Sequence, residues 1–272
     1  MLVGMCSDDG TVADHDRGLS FDLETLGRHQ RRRDVMRLMG AGALGAGGAV
    51  LLGAGAASAS TSAVEIPNET AGPYPGDGSN GPDVLEQSGV VRRDIRRSFG
   101  SSTTLAKGVP LTFVFKLVNT ATRKPVKGLA VYAWHCDAAG DYSMYSSGIT
   151  DENYLRGVQI TGKKGRVRFV SIFPACYSGR WPHIHFEVYR NRRAALNDGT
   201  PLATSQLAFP RSAAAAVYSG SSLYSGSTAN LNRVSLGSDN VFGDDGGVRQ
   251  LASVSGSVAK GYRAYLKVPV DL

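Results

Sequence analysis

Four side chains that can bind a metal ion lie within 44 residues of this chain: Tyr142, Tyr177, His183 and His185. The two histidines are separated only by Ile184, in a segment that has the composition of a β-strand. Side chains alternate between the faces of a strand, so both imidazoles project to one face, about 6–7 Å apart along it, while Ile184 faces the core. The sequence therefore predicts a shared metal site on that face.

The donor set indicates which metal would bind. Two phenolates and two neutral imidazoles provide hard donors and two negative charges, a combination that suits Fe(III) better than softer or less highly charged metals. Arg180 lies three residues before His183, in the same turn-to-strand segment as Tyr177. The other nine of the eleven tyrosines are interpreted as core or interface residues.

Two other interpretations stay open. Glu187 shares the strand face of His183 and His185, so a site of two histidines and one carboxylate for Fe(II), or a zinc site, is an alternative. For Glu187 itself we favour a role as a neighbour of the ligands or as a surface residue. The other alternative is a secreted, non-catalytic β-sandwich binding module, in which the tyrosines would stack on a polymer.

Residues 1–59 have the order of an export signal. A basic cluster, Arg31-Arg32-Arg33, precedes a Gly- and Ala-rich apolar run from Leu38 to Ala59 that ends in Ala57-Ser58-Ala59. The paired arginines and the weakly apolar run are typical of a twin-arginine-type signal. We expect this segment to be removed, residues 60–272 to form one domain, and the product to be extracellular without stable membrane insertion. A membrane anchor is the alternative for the apolar run.

Composition limits the partners. The chain has a formal net charge of +7, and residues 60–272 contain 24 Lys or Arg against 16 Asp or Glu. These basic residues are scattered, so we expect no nucleic-acid partner, only mild attraction to anionic polymers. The oligomeric state is left open, a homodimer included. Cys136 and Cys176 are a disulfide candidate, with two buried free thiols as the alternative.

The elements that must position these residues are short. Strands are predicted over 111–118, 129–136, 166–173, 183–190, 203–209 and 262–270. We interpret 83–99 as a short helix or irregular segment and the Gly- and Ser-rich stretch 219–247 as loop. The pattern predicts an all-β fold, an antiparallel β-sandwich with long connecting loops. A strand ends before the turn at Gly140, which places Tyr142 on a loop at the rim.

Three motifs resemble those of a known family, the intradiol ring-cleavage dioxygenases (catechol and protocatechuate dioxygenases), and are close to its secreted actinobacterial type. The match runs from about Gly72 to Tyr189 and includes an arginine-glycine element at Arg156-Gly157. The motifs are W-H-x-D-x-x-G-x-Y at Trp134-His135-Cys136-Asp137-Ala138-Ala139-Gly140-Asp141-Tyr142, P-x-x-Y-x-G-R at Pro174-Ala175-Cys176-Tyr177-Ser178-Gly179-Arg180, and His183-Ile184-His185.

The resemblance implies a cofactor, a reaction and residue roles. Tyr142, Tyr177, His183 and His185 would bind Fe(III), Tyr177 would be displaced by substrate, and Arg180 would be the active-site arginine. The reaction would open catechol-type diols with O2 between the two hydroxylated carbons, giving cis,cis-muconates. We expect Tyr74 and Gln159 to line the pocket. The link between Tyr177 and His183 is shorter than in protocatechuate enzymes, so we expect a shallow pocket of open specificity.

Overall fold

The structure, a computed structural model, describes residues 63–272. The predicted export signal, residues 1–59, lies outside the described residues. Within residues 63–272, no helix has the length and apolar character needed to cross a membrane.

Within the described part of the chain, eight strands form two four-stranded sheets. One sheet has the order β4-β1-β8-β7 and the other β3-β2-β5-β6. All neighbouring strands are antiparallel except β1 and β8, which run parallel, so the predicted β-sandwich is confirmed with one parallel pair added. The strands are β1 (Pro110–Asn119), β2 (Ala130–Trp134), β3 (Arg156–Ile160), β4 (Arg166–Ile172), β5 (His183–Tyr189), β6 (Ala203–Ala208), β7 (Ser253–Ser257) and β8 (Gly261–Val270).

The six predicted strands are confirmed, and the sequence missed β3 and β7. Strand β7 has the sequence SVSGS and lies exposed at a sheet edge, so it lacks the apolar alternation that marks a strand. The interpretation of 219–247 as loop was incomplete. After α1 (Arg192–Ala195) and α2 (Arg211–Gly220), this stretch contains α3 (Ser227–Arg233) and two 3₁₀ turns. Its Ser, Asn and Gly residues are weak helix formers, so these helices depend on packing.

Aromatic side chains fill the space between the two sheets. Phe113 and Phe115 on β1 alternate with half-buried residues and point inward. The Phe113 ring stacks on Phe169 at 4.9 Å, and the Phe115 ring lies 4.5 Å from that of Phe186 on β5. Burying each such ring stabilises the fold by roughly 1.5–3 kcal/mol. Because Phe186 faces this core, its neighbours His185 and Glu187 face the opposite side of the sheet.

That opposite side, the outer face of the β3-β2-β5-β6 sheet, is polar and yet buried. Arg156, Trp134, His185 and Gln206 lie in one row across its four strands. All four are at most 2% exposed. Loops from other parts of the chain contact these side chains and cover them, which leaves polar groups in a nearly dry environment.

Candidate metal centre

Four donor atoms meet on this covered face. Tyr177 Oη lies 3.2 Å from His183 Nε2, and Tyr142 Oη lies 3.5 Å from both of those atoms. His183 Nε2 lies 3.0 Å from His185 Nε2. Donors that share one metal at about 2.0–2.1 Å are themselves roughly 3–3.5 Å apart, so these separations fit a common cation. The structure brings together all four residues that the sequence singled out; metal binding by them remains a prediction.

A capped turn aims Tyr142 at the histidines. Asp137 Oδ1 accepts hydrogen bonds from the backbone N–H groups of residues 139–141 at 2.8–3.1 Å. Gly140 has a φ of +103°, a left-handed conformation that glycine adopts without strain. A Cβ at Gly140 would lie 3.4 Å from Tyr177 Cβ, so the turn also lets the two tyrosine segments approach closely. The spacing of Asp137 and Gly140 therefore has a structural reason.

Both histidines are neutral and direct Nε2 into the cluster. His183 Nδ1 donates to Trp181 O at 2.5 Å, which leaves a lone pair on Nε2. Burial and then the charge of Arg180 lower the pKa of His183 to about 3. Burial, with His183 adding to it, lowers the pKa of His185 well below its usual value. The His185 ring stacks on Trp134, with centroids 5.0 Å apart and planes 7° apart. Neutral imidazole is the form of histidine that binds metals.

Burial keeps the phenol of Tyr142 in the cluster protonated. Burial, and then the neighbouring Tyr177, raise the pKa of Tyr142 well above its usual value, and the charge of Arg180 opposes this only in part. A bound metal cation would reverse the balance, because it stabilises phenolate directly. Two phenolate oxygens and two imidazole nitrogens are hard donors with two negative charges. The residues present therefore fit Fe(III).

Arg180 is fixed beside the cluster by two residues that the sequence did not reveal. Its Nε donates to Asp239 Oδ2 at 3.0 Å, and its Nη2 donates to Gln206 Oε1 at 2.6 Å. Asp239 also accepts from three backbone N–H groups, one of them that of Trp181. Burial opposes ionisation of Asp239, but Arg180 and these N–H groups outweigh it, so its pKa is lowered. Because the Trp181 carbonyl orients His183, one carboxylate restrains both Arg180 and a predicted ligand.

Arg156 connects the two loops that cover the site. Its Nη1 donates to Tyr74 O at 2.9 Å and to Pro75 O at 2.8 Å. Its Nη2 and Nε donate to Ser143 O at 2.8 Å and to Ser143 Oγ at 3.1 Å. Ser143 follows Tyr142, whose ring lies 4.9 Å from that of Tyr74. Arg156 thereby holds the Tyr74 segment next to a predicted ligand, and the place of Tyr74 in the pocket lining stays a prediction.

Glu187 is not brought to the histidines. Its carboxylate accepts from Tyr189 Oη at 2.5 Å and from Thr204 Oγ1 at 3.2 Å, and burial raises its pKa to about 7. It lines a cleft of about 620 Å³ whose walls include none of the four predicted ligands. Among residues 63–272, no group of three His, Cys, Asp or Glu side chains with ligand atoms within 4.8 Å contains either histidine. The alternative of a His/carboxylate site is therefore not supported.

Gln159 lies away from the cluster. It pairs with Val131, whereas Arg156, three residues earlier on β3, pairs with Trp134 in the row of His185. Three residues span about 10 Å along a strand, and the odd spacing directs Gln159 to the opposite face. Its expected place in the pocket lining is not supported by this geometry.

The disulfide candidate is also corrected. Cys136 and Cys176 are buried free thiols. Each sulfur has a carbonyl partner, Ala175 O at 3.8 Å for Cys136 and Arg180 O at 3.4 Å for Cys176. The alternative of two buried thiols is the one observed.

Known proteins can now be compared with this geometry. A family model described as Dioxygenase matches residues 80–191, which contain all four predicted ligands. No curated protein matches the chain. The chain is similar to the solved intradiol ring-cleavage dioxygenase from Tetranychus urticae, at 25% identity and a TM-score of 0.61, covering 76% of this chain and 95% of that one. This chain also shares its fold with catechol 1,2-dioxygenase from Pseudomonas arvilla C-1, at 16% identity and a TM-score of 0.50, covering 96% of this chain and 72% of that one. A dioxygenase family model thus matches the segment that contains the predicted ligands, and the described domain has the fold of intradiol ring-cleavage dioxygenases.

Proposed function

We propose that this enzyme uses Fe(III) and O2 to open catechol-type aromatic diols between the two hydroxylated carbons, giving cis,cis-muconates. The family supports ring cleavage by a dioxygenase. The observation that carries the finer proposal is the convergence of two phenol oxygens and two imidazole nitrogens, with neighbouring donors 3.0–3.5 Å apart. This donor set selects a hard, highly charged cation.

The four ligands would have different duties. A bound Fe(III) would supply Lewis-acid chemistry that makes the diol ring reactive towards O2. Tyr177 is 8% exposed, against 2–3% for Tyr142, His183 and His185, so it lies on the side from which a diol enters. Its phenolate Oη can leave the site as the diol arrives and accept one diol proton. No separate carboxylate base is then required.

Arg180 would stabilise the anionic diol. Its guanidinium is 1% exposed and is held at Nε and Nη2, so its charge is fixed before substrate binds. The charge already acts on the predicted ligands, since it contributes to the lowered pKa values of His183 and His185. A preorganised charge in a dry site stabilises developing negative charge by several kcal/mol more than the same charge in water.

The substrate class follows from an aromatic wall beside the cluster. Tyr74 packs against Tyr142 and, at 5.2 Å, against Tyr145. A flat aromatic diol can lie against such a wall. The short link from Tyr177 to His183 leaves little chain to enclose bulky substituents, so we propose acceptance of simple catechols and of hydroxylated or lignin-derived relatives.

Product analysis tests the proposal. Purified enzyme is given catechol and ¹⁸O₂, and the product is identified by mass and absorbance. A cis,cis-muconate containing both labelled atoms is the expected result, and His185→Ala should give none. A semialdehyde product would instead indicate extradiol cleavage. The lack of ring opening with any catechol in an iron-loaded preparation would return the chain to the binding-module alternative.

We also propose that residues 1–59 direct export. The supporting observation is the sequence order of paired arginines, apolar run and Ala57-Ser58-Ala59. Amino-terminal sequencing of protein from the culture medium should begin near residue 60, and Arg31→Lys with Arg32→Lys should retain the protein in the cell. Accumulation of uncleaved chain in the membrane fraction would support an anchor instead.

A further inference from the structure

The outer face of the other sheet, β4-β1-β8-β7, is strongly basic. Strand register places its outward side chains in three rows. Strands β4 and β8 each contribute two exposed cations, and β1, which lies between them, adds the half-buried Lys116. We call this surface the basic face. Its rows are Arg166, Lys116 and Lys267; Arg168, Val114, Tyr265 and Ser253; and Val170, Thr112, Arg263 and Ser255.

These five cations have no carboxylate among them. None of the three rows contains Asp or Glu, although residues 60–272 contain 16 of them against 24 Lys and Arg. Arg93, whose carbonyl accepts from Val170 N beside this sheet, adds another positive charge. Desolvation, and then the like charges of Arg93 and Arg263, lower the pKa of Arg168. Like charges gathered in this way repel one another, so the face is suited to an anionic partner.

The carboxylates next to these rows are engaged elsewhere. Asp94, which forms a bridge with Val170 at the edge of the sheet, pairs with Arg96 at 2.6 Å. Asp271, at the end of β8, accepts from Thr120 Oγ1 and from the backbone of Leu272. They do not neutralise the centre of the basic face.

A shallow cleft runs over the face beside β7. It has a volume of about 410 Å³, and its lining includes Arg166, Arg263, Tyr265, Ser253 and Ser255. Tyr265 is 37% exposed and is the only aromatic side chain in the three rows. The cleft thus combines two guanidinium groups, which bind carboxylates in bidentate fashion, with one aromatic ring and two hydroxyl groups.

We propose that the basic face binds a linear anionic polysaccharide that carries carboxylate groups. Neighbouring strands lie about 4.8 Å apart and alternate residues about 7 Å apart along a strand, so the cations form a flat grid. An extended polymer with regularly spaced carboxylates can contact several of them at once. The Tyr265 ring offers a surface for a sugar ring, and the serine hydroxyl groups can bond to its hydroxyl groups. This role is separate from the proposed catalysis, because the face lies on the opposite side of the sandwich.

The same chemistry fits two other polyanions less well. Single-stranded nucleic acid binds to sheets through several stacked aromatic side chains, and this face has one. An anionic membrane surface is bound by apolar groups inserted among the charges, and these rows offer only Val114, Val170 and Tyr265 as large exposed or half-buried apolar groups.

A matched pair of variants tests the proposal. Arg168→Glu with Arg263→Glu reverses two charges on the basic face, whereas Arg192→Glu with Arg193→Glu makes the same change in net charge at exposed positions of α1. Binding to polygalacturonate is measured at several salt concentrations, with uncharged dextran as the blank. The wild type should bind with an affinity that falls steeply with salt; the face variant should bind at least about tenfold more weakly and the α1 variant within about twofold of wild type. Arg168→Gln with Arg263→Gln should be intermediate.

Turnover of catechol, or the unfolding temperature if the chain has no turnover, shows that each variant is folded. Equal losses in the two reversal variants would mean that binding follows net charge alone and would overturn the proposal, as would no binding by the wild type. Tighter binding to single-stranded DNA or to anionic phosphatidylserine vesicles than to polygalacturonate at the same salt would reject the polysaccharide as partner.

Discussion

The two outer faces of this sandwich contain similar polar residues in opposite settings. On one face, Arg156 and Arg180 are 1% exposed and lie under loops. On the other, Arg166 and Arg168 are exposed to water. In the strands of both sheets, the residues of the outer face alternate with residues that face the same aromatic core. The difference teaches that the strands alone do not define a site: the loops that cover one sheet turn its polar row into a dry centre in which pKa values shift strongly, as those of His183 and Tyr142 do.

Substitution of a predicted ligand should have the largest effect on the difference between the two faces. His185→Ala should remove the metal and all ring cleavage, because three remaining donors leave the site incomplete. Metal content is measured by elemental analysis alongside turnover. His135→Gln is the control, since His135 is buried between Cys136 O and Ser171 Oγ outside the cluster. It should cost stability but keep the metal. Retention of full metal content by His185→Ala would contradict the assignment.

The next effect concerns Arg180 and its carboxylate. Arg180→Ala should lower kcat by about 100-fold while leaving the metal bound, because it removes one fixed charge from the dry site. Asp239→Asn should also lower kcat, since both carboxylate oxygens accept from N–H donors and an amide would direct its own NH2 at some of them.

A double-mutant cycle separates positioning from a general loss of structure. If Asp239 acts through Arg180, the double variant should be no slower than Arg180→Ala alone. Asp245→Asn, which removes a more exposed carboxylate from the same segment, is the control and should keep normal turnover. Independent, multiplying losses would show that Asp239 does not act through Arg180.

Stability gives a direct contrast between the two faces. Arg156→Met should lower the free energy of unfolding by about 3 kcal/mol or more, because it removes a charged donor from the carbonyls of Tyr74, Pro75 and Ser143, of which Pro75 O keeps Tyr132 Oη. Arg166→Met on the basic face should change it by no more than about 0.5 kcal/mol. Urea unfolding of both variants measures this. Similar losses would mean that the loops do not set the two faces apart.

The smallest expected effect is that of the basic face on turnover. Reversing Arg168 and Arg263 should leave kcat/KM for catechol within about twofold, since the diol is uncharged and the face lies across the sandwich from the site. Steady-state kinetics at physiological salt check this. A tenfold change would show that the two faces are coupled.

Much of this could be predicted from local sequence. Alternation of Phe113 and Phe115 predicted β1, and the spacing of His183 and His185 predicted their shared face. The turn at Gly140 could also be predicted from the sequence. The predicted ligands could be found because each lies in a short motif.

Other features depend on contacts between distant segments. Asp239 lies 59 residues from Arg180 in a Gly- and Ser-rich stretch without a motif, so nothing local marks it. The position of Gln206 on β6 places it on the same face as His185, but its hydrogen bond with Arg180 depends on the fold. Strand β7 forms because it pairs with β8, and α3 forms because Leu231 packs into the core. The thiols of Cys136 and Cys176 could not be assigned from their even number alone.

The visible spectrum and iron content of the purified protein test the central claim most directly. Phenolate bound to Fe(III) produces a charge-transfer band in the visible range, which neither zinc nor a His/carboxylate Fe(II) site shows. We predict a coloured protein with about one ferric ion per chain, whose band weakens or shifts in Tyr142→Phe. A colourless protein with its metal site fully loaded would contradict the proposal that Tyr142 and Tyr177 bind ferric iron.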